Sequence, residues 1–172
     1  GTLGELGLAD TITQAHRVSA IYDPSPVVVV GIHRLLSAIL QAMYDPQRPQ
    51  DLLRIQEASA FSREHIDEFG HLYANRFDLF SHSEPFLQSA DLPLEPDKGT
   101  AKPISQLLVE TSRSTALEHY RHGRDADEAF CPACAAHGLV TVPAFTSSGG
   151  RGLRPSINGV PPIYVIPAGC SL

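Results

Sequence analysis

The sequence predicts a mixed α+β fold, with helices dominating the first half and short strands and loops in the second. Three observations lead there. Up to about residue 75, apolar residues recur at the three-and-four spacing of amphipathic helices. The 14 prolines and 13 glycines of this 172-residue chain are denser towards its C-terminal half, where they interrupt such periodicity. Ile163 to Ile166 is a short apolar run among turn residues, as a strand is. Hydrophobic residues make up 42% of the chain, enough for one domain with a real core and too many for a disordered tail.

Taken in order, Asp10 caps a helix that carries Ile12, Ala15 and Val18 on one face. Asp23-Pro24-Ser25-Pro26 breaks it, and Pro26 suits the first turn of the next helix. That helix runs from about Val27 to Tyr44, with Val28, Ile32, Leu35, Leu36, Ile39 and Met43 facing the core, and Asp45-Pro46 ends it. Two shorter helices follow, about Pro49 to Ser59 and Ser62 to Tyr73, the second with Ser62 as an imperfect cap. Arg76 to Gln88 mixes aromatics with turn residues and holds short extended pieces. Ala90 to Thr100 is a polar loop, and Ile104 to Val109 is either strand or helix. Asp125 to His137 reads as a helix interrupted by Cys131-Pro132-Ala133-Cys134. Both ends read as those of a fragment: Gly1 to Leu8 resembles the middle of a sequence, and Leu172 follows directly on the last strand. The whole of 1–172 is therefore expected to be a partial domain.

The formal net charge of −6 argues against a free-standing nucleic-acid binder, which needs basic surface to replace phosphate counterions. An acidic chain still contacts nucleic acid locally when other subunits of an assembly provide the positive field. Three cysteines, with one closely spaced pair, do not make a disulfide framework. The longest unbroken apolar stretch, Val27 to Ile32, is followed at once by His33 and Arg34, so the expectation is a cytoplasmic protein with no membrane partner.

Four stretches are candidates for chemistry. Cys131 and Cys134 have the spacing of half a structural zinc site, because two intervening residues let both thiolates reach one tetrahedral ion; the alternative is a pair of reduced cysteines without metal. Cys170 lies outside metal spacing, and His119, His122 and His137 are nearby imidazoles that can substitute for missing ligands. Ser147 to Gly152 is glycine-rich but lacks the lysine and Ser/Thr of a phosphate-binding Walker loop. His119-Tyr120-Arg121-His122-Gly123-Arg124 is the most basic stretch, diluted by Asp125, Asp127 and Glu128; it reads equally as a solvated loop with ordinary ion pairs. The aromatics of Arg76 to Gln88 read as core builders. No nucleophile elbow, helix-borne His-Glu-x-x-His or paired acidic metal motif is present. Glu64-His65 and Asp67-Glu68 fall on the wet face of a helix, so no enzyme is expected.

Three blocks in matching order resemble the CasA family, the large subunit of the type I-E CRISPR Cascade complex. They are Ala15-His16-Arg17 with Asp23-Pro24-Ser25-Pro26 and the helix through Leu35-Leu36; Arg76-Phe77-Asp78-Leu79-Phe80 with Pro85-Phe86-Leu87-Gln88; and Phe130-Cys131-Pro132-Ala133-Cys134 with Ser148-Gly149-Gly150-Arg151-Gly152 and Pro155-Ser156-Ile157-Asn158-Gly159. The family's chains are much longer and end in a helical bundle that this sequence lacks.

The resemblance implies a non-catalytic subunit that anchors at the 5′ handle of the guide RNA, inspects the flanking motif (PAM) in double-stranded target DNA, contacts the other Cascade subunits and supports recruitment of a helicase-nuclease. It implies RNA contact by Tyr120, Arg121, Arg124 and Phe130, with rings stacking on bases and guanidiniums pairing with phosphate. It implies DNA contact by Ser148, Gly149, Gly150, Arg151 and Gly152 in the minor groove, where missing side chains let backbone amides approach base edges, with Arg151 and Arg154 on phosphates. On the residues alone, that loop reads as a flexible surface turn. For zinc, the family implies that a second cysteine pair, which this chain lacks, completes the set begun by Cys131 and Cys134. The competing reading from another class is a stand-alone zinc-ribbon-like protein-interaction module, and a third is a small hydrolase.

Overall fold

A computed structural model describes residues 2–91, 104–108 and 129–145. They fall into two compact units: one contains 2–24 and 33–74, the other 25–32, 75–91, 104–108 and 129–145.

Helix α1, Leu8–Thr13, passes into a 3₁₀ turn at Ala15–Arg17. Its N-cap is Gly7, and Asp10 sits inside the first turn, where a carboxylate complements the positive end of the helix. Ile12 and Ala15 are buried and Val18 half-buried, so the expected face is present although the helix is shorter than its apolar pattern. Asp10 instead reaches across to helix α4, Arg63–Leu72: the Arg63 guanidinium donates to Asp10 at 2.9 Å and to Asp67 at 2.8 Å. Ser62 is the N-cap of α4 and its hydroxyl accepts from the His65 amide at 3.4 Å.

Helix α2 covers Pro26–Tyr44 and opens on the proline that suits a first turn. Leu36 and Ile39 are buried, and Val28, Ile32, Leu35 and Met43 are half-buried, the face expected from the sequence. Asp45 ends the helix at φ 38°, a left-handed conformation that stops helical hydrogen bonding and that Asp tolerates better than most residues. By length and composition α2 is apolar enough to cross a membrane, which counting unbroken apolar runs did not reveal. It nevertheless carries His33 and Arg34 near its middle and packs Gly31 against protein. Helix α3, Pro49–Glu57, starts with Asp51 accepting from the Arg48 amide at 3.1 Å and buries none of its residues. Tyr44 ties the end of α2 to the start of α4: its hydroxyl accepts from the Ser62 amide at 3.2 Å, and its ring meets His65 edge-on, with centroids 5.7 Å apart.

The α+β expectation is corrected for the described residues, which contain helices, 3₁₀ turns and loops but no strand. Arg76 to Gln88 is not extended. A 3₁₀ turn at Ala74–Phe77 leads into a loop closed on itself. The Phe77 and Phe86 rings stack at 6.0 Å, the Phe86 amide donates to the Asp78 carbonyl at 2.9 Å, and Arg76 pairs with Glu84 at 3.0 Å. Short-range side-chain and backbone bonds satisfy groups that a strand would pair with a neighbour. Ile104–Leu107 is likewise a 3₁₀ turn. Ile163 to Ile166 lies outside the described residues.

The last described helix, α5, covers Pro132–Phe145. The cysteine motif therefore starts this helix, and Asp125 to Glu128 of the expected one lies outside the described residues. Pro132 has no N–H to lose in a first turn and its fixed φ is already helical, and the Ala135 amide donates to the Cys131 carbonyl at 3.0 Å. Towards its end, Pro143 removes the N–H that the Leu139 carbonyl would take.

Candidate functional site

Of the residues singled out from sequence, Phe130, Cys131 and Cys134 lie among those described. Tyr120, Arg121 and Arg124, and Ser148, Gly149, Gly150, Arg151 and Gly152, lie outside them.

Cys131 is the residue immediately before α5 and Cys134 lies on its first turn, both exposed and reduced. Their spacing brings the sulfurs over the same turn, 3.0 Å apart, with the Cys134 amide donating to Cys131 Sγ at 3.3 Å. The hydrogen bond shared with the Cys134 side chain, and then that from the Cys134 amide, hold the Cys131 thiol below the usual cysteine range. The start of a helix favours a thiolate in the same sense. Phe130, next to the pair, is half-buried.

Close packing fixes the helix beneath the thiols. A Cβ added at Gly138 would lie 2.6 Å from Leu107 Cβ and 3.0 Å from its carbonyl oxygen, so α5 seats directly on the 104–107 turn. A Cβ at Gly31 of α2 would lie 3.2 Å from both Thr141 Cα and the Val140 carbonyl oxygen. Thr141, fully buried, turns its hydroxyl back to the His137 carbonyl at 2.7 Å. These glycines were not marked from the sequence, because their neighbours are distant in the chain.

Two thiolates at this spacing can fill two positions of a tetrahedral zinc site. His137, exposed one turn further along, is not drawn in: among the described residues no group of three or more His, Cys, Asp or Glu side chains converges as a metal site would require. The residues present thus fit half of a site. Elsewhere, Tyr44, Asp51, Arg54, Ile55, Ala58 and Phe61 line an open cleft. Its charged residues, Arg54 and Asp51, pair with each other at 3.6 Å.

A family model described as CRISPR-associated protein Cse1 matches residues 1–169. The curated CRISPR-associated protein CasA/Cse1 of Thermus thermophilus is 32% identical over 151 residues, covering 87% of this chain and 29% of that protein. Among solved structures, Cse1 from Acidimicrobium ferrooxidans aligns with a TM-score of 0.65 and 30% identity, over 86% of this chain and 26% of that one. CasA (Cse1) of Thermus thermophilus aligns with a TM-score of 0.60 and 31% identity, over 85% of this chain and 28% of that one. The chain spans less than a third of the length of these relatives.

Proposed function

The chain belongs to the CRISPR-associated Cse1 family, and from that premise we propose that it is a non-catalytic part of the large subunit of a cytoplasmic type I-E CRISPR surveillance complex. The observation that carries this reading is the family match across residues 1–169.

In this reading Tyr120, Arg121, Arg124 and Phe130 anchor the chain on the 5′ handle of the guide RNA. Aromatic rings stack on unpaired bases, and guanidiniums neutralise phosphates. Ser148 to Gly152 lies along the minor groove of duplex target DNA beside the flanking motif, where glycines admit the backbone close to base edges. Arg151 and Arg154 hold register on phosphates. Guide pairing then reads the remaining sequence, and the assembled complex recruits a helicase-nuclease. With a net charge of −6, the chain depends on the other subunits for the positive field that draws DNA in.

Zinc belongs to the same reading, with Cys131 and Cys134 as two of four ligands and the remaining two from outside the described residues. Exposure of both sulfurs, their position over one helical turn and the lowered Cys131 thiol support it. The metal would cross-link the start of α5 to another segment and so fix the loops on either side.

The test is copurification of the full-length parent protein with the other complex subunits and guide RNA, followed by binding to duplex DNA with and without the flanking motif. Replacing Gly149 and Gly150 together by leucine should leave assembly intact and weaken motif-dependent binding by roughly tenfold or more, the scale of one lost base-edge contact. A protein that never associates with guide RNA or with the other subunits would overturn the reading.

A further inference from the structure

The dithiol at the start of α5 has a second chemistry that depends neither on a metal nor on the family reading. Cys131 and Cys134 are both exposed, with sulfurs 3.0 Å apart. A disulfide needs about 2.05 Å between sulfurs. A tetrahedral ion with Zn–S near 2.3 Å sets two thiolates roughly 3.8 Å apart. The observed separation lies between the two, so small side-chain rotations lead to either state. The helix itself need not move, since Gly138 is seated on Leu107 and Gly31 on Thr141. No third ligand converges on the pair among the described residues, and both sulfurs are open to a small oxidant.

We propose that Cys131 and Cys134, when free of metal, close into a reversible disulfide by exchange with a low-molecular-weight disulfide. Cys131 is the attacking sulfur, because it shares a hydrogen bond with the Cys134 sulfur at 3.0 Å and its Sγ accepts from the Cys134 amide at 3.3 Å. Its thiolate attacks one sulfur of the small disulfide, expels one small thiolate and leaves a mixed disulfide on Cys131. The Cys134 thiolate then attacks Cys131 Sγ, which forms the intrachain bond and releases the second small thiolate. In balance, the protein dithiol loses two electrons and two protons, and the small disulfide becomes two thiols. The oxidised pair has no thiolate left for a metal, so the redox state decides whether this end of α5 can be loaded.

The experiment equilibrates the full chain, stripped of metal by a chelator and desalted, in glutathione buffers from fully reduced to fully oxidised. Samples are acid-quenched, alkylated, digested and weighed. The expected result is a peptide containing both Cys131 and Cys134 that carries no alkyl group and is two hydrogens lighter than the unalkylated dithiol, appearing in a single two-electron transition. C170S should behave the same way, whereas C131S and C134S should each stop at one glutathione on the remaining cysteine of the pair. Separate glutathione adducts on Cys131 and Cys134 with no bond between them overturn the proposal. So does a bond from either one to Cys170 or to a second chain.

Discussion

Cys131 differs from an ordinary surface cysteine because its sulfur shares a hydrogen bond with the Cys134 side chain and accepts another from the Cys134 amide. Both contacts favour the thiolate and so lower the Cys131 pKa. Replacing Cys134 by alanine removes the side-chain bond, the larger cause, and keeps the amide. In the metal-free, reduced chain, the pH midpoint for alkylation of Cys131 by iodoacetamide should therefore move upward, towards the ordinary value of about 8.5. An unmoved midpoint would mean that the sulfur contact does not hold the thiolate. Arg63 is a contrasting residue. It joins Asp10 on α1 to Asp67 on its own helix, but its side chain is 55% exposed. Solvent screening limits such pairs, so Arg63→Ala should leave the midpoint of chemical denaturation close to that of the parent, despite linking residues far apart in sequence.

At the scale of the element, α5 depends on what it cannot accommodate. Gly138→Ala gains helix propensity of about 1 kcal/mol but drives a methyl group into Leu107 Cβ and its carbonyl oxygen. The backbone atom cannot rotate away, and overpacking of this kind costs roughly 1–3 kcal/mol. The variant should unfold at a lower temperature than the parent; a rise in Tm would show that the 104–107 turn yields. Tyr44→Phe keeps the ring against His65 and removes the acceptor of the Ser62 amide. A loss of about 0.5–1.5 kcal/mol is expected, the net value of one hydrogen bond. These elements were legible to different degrees, for physical reasons. The α2 and α4 boundaries follow from local punctuation, namely Pro26, Asp45-Pro46 and Ser62, and the buried side of α2 follows from its period. The proline of the cysteine motif was misread as an interruption, because a proline that breaks a helix and one that starts a helix look alike until the hydrogen bonds are known. Short apolar runs such as Ile104–Leu107 do not reveal their period. The seats of Gly31 and Gly138 and the Asp10–Arg63 pair are contacts between remote residues, and one sequence carries no local trace of them. Of the candidate site, the cysteine spacing was legible, and its place at a helix start was not.

For the whole molecule, the acidic balance and the proposed DNA contact must be reconciled. A net charge of −6 gives the isolated chain no long-range attraction to duplex DNA, so in the proposed reading the DNA contact rests on a few local cations. In the proposed reading these are Arg151 and Arg154, one phosphate each. Each phosphate neutralised contributes about −0.9 to the slope of log K against log salt. Replacing both arginines by alanine in the full-length parent, assembled with guide RNA and the other subunits, should therefore flatten that slope by about 1.8 for flanking-motif duplex. Binding should weaken by a similar factor on duplexes with and without the motif, because phosphate contacts carry no sequence information. The replacement of Gly149 and Gly150 should do the reverse, with an unchanged slope and lost discrimination. Fluorescence anisotropy of a labelled duplex across a salt series separates the two effects. A slope that stays the same in the double-arginine variant would remove both residues from the DNA interface, and a slope change confined to the motif-containing duplex would assign them to sequence reading instead of positioning.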